Sequence, residues 1–260
     1  MKIALISLSP EGAVLAREVM RDVPEAELFL HRRVKTTSAC RRFDRILSLT
    51  SRLFKSYQGL VYFAPCGVVV RALNGHLCHK TQDPAVVVVD PGGRYAVSLL
   101  SGHEGGANAL AYRVANILSA EPVISTATES LKPYVVGIGC RKGVSSSSIE
   151  GAIQEALSLA HIRLDQVRCL ASADIKSREE GILEAARALN LPIRFISSSE
   201  ILSTRKAFHH SSFVASKVAL PAVAEPAALL AGRRTQLALP KTLFGPVTVA
   251  IAKEGSLSLA

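Results

Sequence analysis

"AVVVVDPGGRYAVSLLSGHEGGANALAYRVANIL", Ala85 to Leu118, is the stretch from which the fold class can be read. "AVVVVD" is a short, β-branched apolar run between turn residues, which suits an interior strand covered on both faces. "RYAVSLL" reads as a second strand and stops at Ser101. "SGHEGGAN" then sets glycines around a His–Glu pair, and "ANALAYRVANIL" spaces small and apolar residues at a helical period. Strand exit, flexible turn and helix entry in that order point to layered α/β architecture.

The same alternation extends in both directions. "KIALIS" reads as a buried strand and "SPEGAVLAREVM" as a helix, with Ser9 as cap and Pro10 at the first helical position, where its missing N–H costs nothing. "LVYFAP" and "PVISTA" are further strands. A second series starts near Pro133: strands at "YVVGIG", "VRCLASAD" and "PIRFIS", and helices at "SSSSIEGAIQEALSLA", "KSREEGILEAARALN" and "EPAALLAG". Two closing strands, "QLALP" and "VTVAIAK", are joined through "KTLFG". Ser147 with Glu150, and Ser177 with Glu180, have the spacing of reciprocal helix caps. The expectation is an α/β protein of two α/β/α layered domains with largely parallel sheets, residues 1–130 and 131–260, divided around Thr128 to Lys132.

Composition narrows the function classes. With 48% apolar and 20% charged residues in 260, the chain reads as globular. No apolar run approaches bilayer length, and "MKIALISLSPEG" reads as a core strand and turn rather than an export signal, so the expected compartment is the cytoplasm. Five cysteines without a C-x-x-C pair argue against a disulfide framework or a zinc ribbon. The formal charge of +10 favours anionic partners, but the basic residues are dispersed, Trp is absent and no nucleic-acid-binding module is present. An anionic small molecule fits at least as well as a nucleic acid.

Three stretches could carry chemistry. In "SGHEGGAN", Gly105 and Gly106 would let backbone N–H groups approach a ligand at a helix N-terminus. His103 suits proton movement near neutrality, with Glu104 orienting it or acting itself; a solvated turn is the alternative. In Ala64 to Asp90, Cys66, His76, Cys78 and His79 are too crowded and too few for a structural zinc set, so no metal site is expected. Arg71, Lys80 and Asp83 flank strand ends, either as carboxylate partners or as plain surface charge. "GIGCRKG", Gly137 to Gly143, is neither G-x-G-x-x-G nor a P-loop, yet with Arg141, Lys142 and the serines from Ser145 to Ser148 it reads as an anion cradle. A G-x-S-x-G nucleophile elbow is lacking.

"PCGVVVR", "KTQDPAVVVVD", "LLSGHEGGAN" and "VISTATE", in that order, resemble the CbiG family of the anaerobic cobalamin pathway, the cobalt-precorrin-5A hydrolases. "YVVGIGCRKG", "IKSREEGI", "AVAEPAALLA" and "LPKTLFGPVTVAIAK" are similar to its C-terminal, CobE-like domain, so the resemblance covers both halves. A further segment usually lies between the "TAT" and "GIGCRKG" strands of that family; here "STATESLKPYVVGIG" joins them almost directly.

The resemblance implies a hydrolase that opens the ring-A δ-lactone of a cobalt-bearing tetrapyrrole and releases acetaldehyde, giving cobalt-precorrin-5B. It implies His103 as base or shuttle with Glu104 orienting it, and Gly105 and Gly106 amides stabilising negative charge. Arg71, Lys80, Arg141 and Lys142 would clamp carboxylates, and Asp83, Ser101, Gly102, Asn108, Gly137, Gly139 and Gly143 would complete the substrate-binding set. No cofactor or protein-bound metal is implied, since cobalt arrives inside the substrate. The implied partners are that anionic tetrapyrrole, a second copy of the chain or other enzymes of the pathway; nucleic acid and membrane are not among them. The competing reading is a carrier of corrinoid intermediates without turnover.

Overall fold

The structure, a computed structural model, describes residues 1–37, 39–209 and 220–255. It divides into two compact units, Met1–Thr126 and Ala127–Ala260.

In the first unit, β1 (Ile3–Ser7), β2 (Ala26–His31), β3 (Arg41–Phe43), β4 (Gly59–Phe63) and β5 (Ala85–Val89) run parallel, and β6 (Tyr95–Leu100) and β7 (Glu121–Val123) run opposite to them. The order is β3-β2-β1-β4-β5-β6-β7. Alternation along each strand feeds two cores. Ile3, Leu5, Val61 and Phe63 pack under α1 (Pro10–Asp22) and α4 (Ala107–Leu118). Ala4, Ile6, Leu60 and Tyr62 pack under α2 (Ile46–Leu53) and α3 (Cys66–Leu73). Ser9 caps α1 as expected, its Oγ accepting the Gly12 N–H at 3.1 Å, with Pro10 at the first position. β2, β3, α2 and α3 carried no sequence signal. β3 has three residues and α2 and α3 eight each, too few for a period to declare itself.

In the second unit, β8 (Tyr134–Cys140), β9 (Val167–Ala173) and β10 (Ile193–Ile196) are parallel, and β11 (Gln236–Phe244) with β12 (Val247–Lys253) forms an antiparallel hairpin. The order is β10-β9-β8-β12-β11. The helices are α5 (Ala127–Ser130), α6 (Ser146–Leu159), α7 (Glu180–Ala188), α8 (Ser198–Ser203) and α9 (Ala224–Leu230). α6 and α7 cover one face through Ile149, Ile153 and Ile182 packed on Val136 and Ile138. α9 covers the other, where Gly137 lets its backbone approach: a Cβ there would stand 2.0 Å from the Ala224 carbonyl oxygen. Cations meet the carbonyls at the end of α9, with Lys206 donating to Leu229 and the Arg168 and Arg194 guanidinium groups donating to Ala231 at 3.1 and 3.2 Å.

The α/β class with mostly parallel strands is as expected from the sequence; three local expectations are corrected. α6 is capped by Ser145, whose Oγ accepts the Ser148 N–H at 3.3 Å, so Ser147 lies inside the helix. α7 starts after Glu179 without a side-chain cap, because residues Asp174–Lys176 form a separate 3-10 turn that takes up Ser177. "KTLFG" is not a connection: β11 runs through to Phe244, with a bulge between Leu239 and Thr242, and the hairpin turns after it.

Candidate functional site

The turn at Ser101–Gly106 is built by its own backbone. Ser101, at φ 57°, ends β6 in the left-handed region, a placement that costs a non-glycine residue roughly 1–3 kcal/mol. Its carbonyl accepts the Gly105 and Ala107 N–H groups at 3.1 and 3.2 Å, and the Gly102 carbonyl accepts the Asn108 N–H at 2.9 Å. Gly105 has no room for a Cβ, which would lie 2.4 Å from that of Ser101, and Gly106 enters α4 at φ 83°. Asn108 ties the far side: its Oδ1 accepts from Ser98 at 2.8 Å and its Nδ2 donates to Thr126 at 3.1 Å. Thr126, missed by the sequence reading, stood in the quoted "VISTATE".

Where the turn lies differs from the expectation that ligands gather at the carboxyl ends of the strands. β6 is antiparallel, pairing Leu100 with Val86, and Val86 is level with Leu60 and Ala4. The turn therefore stands at the carboxyl end of β6 but at the amino ends of β1, β4 and β5. The segment entering β5 comes to it. The Asp83 carbonyl oxygen lies 3.3 Å from the space a Gly105 Cβ would take, and the Lys80 ammonium meets the Glu104 carboxylate at 2.5 Å.

Those contacts revise several assigned roles. Glu104 is hydrogen-bonded to Lys80 and not to His103; the ammonium foremost, and His103 to a smaller degree, hold its carboxyl below the usual value. Asp83 is turned inward and buried, both oxygens accepting the Cys78 N–H at 3.0 and 3.2 Å, so it fixes the loop rather than facing a ligand. Arg71 folds back onto the Gly67 carbonyl of its own helix at 3.0 Å. The Gly105 amide is already used; that of Gly106 has no partner among the described residues. His103 is exposed and its imidazole forms no hydrogen bond among the described residues, though it lies close enough to Glu104 to act on that carboxyl. The Ser101 Oγ is buried and likewise unpartnered among them.

The other glycine turn belongs to the second unit. Gly137 is a packing residue under α9 rather than an anion cradle, whereas a Cβ built on Gly139 would meet nothing nearer than Val223 at 3.5 Å. The Gly143 amide, at φ 75°, already holds one: it donates to the Glu179 carboxylate at 2.6 Å, which also faces Lys176 at 3.4 Å. Arg141 and Lys142 are exposed and form no ion pair among the described residues. Of the crowded Cys/His stretch, His79 bonds Thr81 at 2.8 Å and His76 packs on Phe54. No three His, Cys, Asp or Glu side chains converge as metal ligands among the described residues, and no described helix is long and apolar enough to cross a membrane.

Residues 48–129 match the family model described as Cobalamin synthesis G N-terminal, and residues 134–252 match Cobalamin synthesis G C-terminus. The chain belongs to the CbiG family. A cobalt-precorrin-5A hydrolase of Priestia megaterium is 24% identical to this CbiG chain, covering 96% of it and 94% of the relative. The alignment runs over 352 positions against 260 residues, so the relative carries residues that this chain lacks. The two family models meet almost end to end, which fits the near-direct junction of the halves. The cobalt-precorrin-5A hydrolase of Salmonella typhimurium is 40% identical over 49% of the chain, which spans 36% of that relative. Protein CobE of Sinorhizobium sp is 28% identical over 47% of this chain and 81% of its own.

Proposed function

We propose that this CbiG chain serves cobalamin biosynthesis as a cobalt-precorrin-5A hydrolase. The observation that carries the reading is His103: an exposed imidazole with no hydrogen bond among the described residues, held on a hydrogen-bonded turn at the N-terminus of α4. Water adds to the lactone carbonyl as His103 Nε2 or Nδ1 takes its proton, and the unpartnered Gly106 N–H with the helix end steadies the oxyanion. The lactone C–O bond opens to a carboxylate and a hydroxyl. Loss of the hydroxyl proton then breaks the carbon–carbon bond to the macrocycle; acetaldehyde leaves, and the bonding pair stays with the ring, where it is protonated. Lys80, positioned by Glu104, supplies a cation for a peripheral carboxylate. Cobalt enters and leaves with the substrate.

The test is cobalt-precorrin-5A turnover followed by an aldehyde-reducing enzyme. Replacing His103 by Ala should lower acetaldehyde release by roughly 10²–10⁴-fold; an undiminished rate removes His103 from the mechanism. The residues present in the Priestia relative and lacking here favour one second reading, a carrier: it predicts tight substrate binding and no acetaldehyde from the wild-type protein.

A further inference from the structure

The second unit contains a His–carboxylate pair far apart in sequence. Glu225, in the second position of α9, is buried to 1% exposure, the one acidic residue in the apolar stretch "AVAEPAALLA". Its carboxylate accepts the His209 N–H at 2.6 Å, the Lys241 N–H at 2.8 Å and the His209 ring Nδ1–H at 3.0 Å. The Lys241 amide is available because Lys241 lies in the β11 bulge, out of register with β12. Burial pushes the Glu225 carboxyl up, but the N–H groups of Lys241 and His209 and the imidazole outweigh it and leave the group below its usual value. Glu225 is therefore ionised and can only accept.

That fixes the imidazole. An acceptor on Nδ1 requires the proton on Nδ1, which leaves the lone pair on Nε2 in the neutral ring. Nε2 meets no partner among the described residues, and the His209 side chain is 67% exposed. A buried carboxylate setting the tautomer of an outward-facing imidazole is the arrangement by which hydrolases orient a base. The His103–Glu104 pair, adjacent in sequence, lacks it.

We propose that His209 is a proton-transfer residue of this chain and Glu225 its positioning residue, with Nε2 taking a proton from an oxygen of a lactone-bearing, carboxylate-rich substrate. The proposal rests on the hydrolase reading for its substrate. That reaction has two deprotonations, of the attacking water and of the freed hydroxyl. Nε2 accepts one of these protons and returns it to the ring carbon or to solvent, so the imidazole ends neutral.

Two measurements test it on the full chain. Long-range 15N–1H correlation, with His209 assigned by its loss in His209→Gln, should show the Nδ1–H tautomer, reverting to the commoner Nε2–H form in Glu225→Gln. An Nε2–H ring in the wild type overturns the proposal. In the acetaldehyde assay His209→Gln, which keeps the backbone N–H on Glu225 and offers an amide N–H where the ring donated, should lower kcat by roughly 10²-fold or more with KM within a few-fold. A full kcat also overturns it. A wild-type protein that releases no acetaldehyde defeats the hydrolase reading instead. The dyad is then judged by the tautomer and by pyrocarbonate acylation of His209, which should slow in Glu225→Gln; an equal rate overturns the proposal.

Discussion

Replacing Gly137 by Ala separates packing from ligand binding in the "GIGCRKG" strand. The new methyl would sit 2.0 Å from the Ala224 carbonyl oxygen and 2.8 Å from the Ala228 Cβ, so α9 would have to lift by more than an ångström on the scale of ordinary contacts. α9 cannot lift freely. Its Leu229 and Ala231 carbonyls are held by Lys206, Arg168 and Arg194, and Glu225 is tied to His209 and Lys241. Overpacking usually costs about 1–3 kcal/mol, and a backbone clash this close belongs at or above the upper end. With a urea m-value of about 1–3 kcal/mol/M, the unfolding midpoint should fall by about 1 M or more. Gly139→Ala, two residues along the same face, meets nothing nearer than 3.5 Å and should move stability by less than about 0.5 kcal/mol. Equal midpoints for the two variants in urea unfolding followed by circular dichroism would refute the packing account.

Three further outcomes are expected. Lys80→Met should raise the Glu104 carboxyl toward its ordinary value, read by 13C NMR of that carboxylate; the pair's contribution is present above the unfolded pKa and lost as pH falls through the folded one, and an unmoved titration would refute the contact. Asn108→Ala breaks the Ser98–Asn108–Thr126 chain and strands a nearly buried Ser98 hydroxyl, so it should cost about 2 kcal/mol in a thermal melt, while an unchanged melting temperature would show that the chain holds nothing. Tyr62, buried against Thr50, is pushed up to about 12, so an ultraviolet titration should show a late phase near that pH, and its contribution to stability should fade as pH rises from about 10 to about 12. Tyr62→Phe should remove that late phase.

Where one residue type serves one local purpose, the sequence is legible. Ser9 and Pro10 announce the start of α1, and "AVVVVD" and "ANALAYRVANIL" yield β5 and α4 because strand and helix periods act over neighbouring residues. Short elements fail that test, as β3 shows. A row of four serines offers several caps, and only the turn at Gly143 selects Ser145.

The amino-acid order alone determined the α/β class, the glycine turn before α4 and the family's signatures, since each rests on residues within a few positions of one another. Tertiary structure decided the partners. Glu104 found Lys80, Gly143 found Glu179, Gly137 found the backbone of α9, and His209 found Glu225. A carboxylate in a sequence can pair with any cation or amide that the fold brings within about 3 Å, and spacing along the chain does not encode that distance.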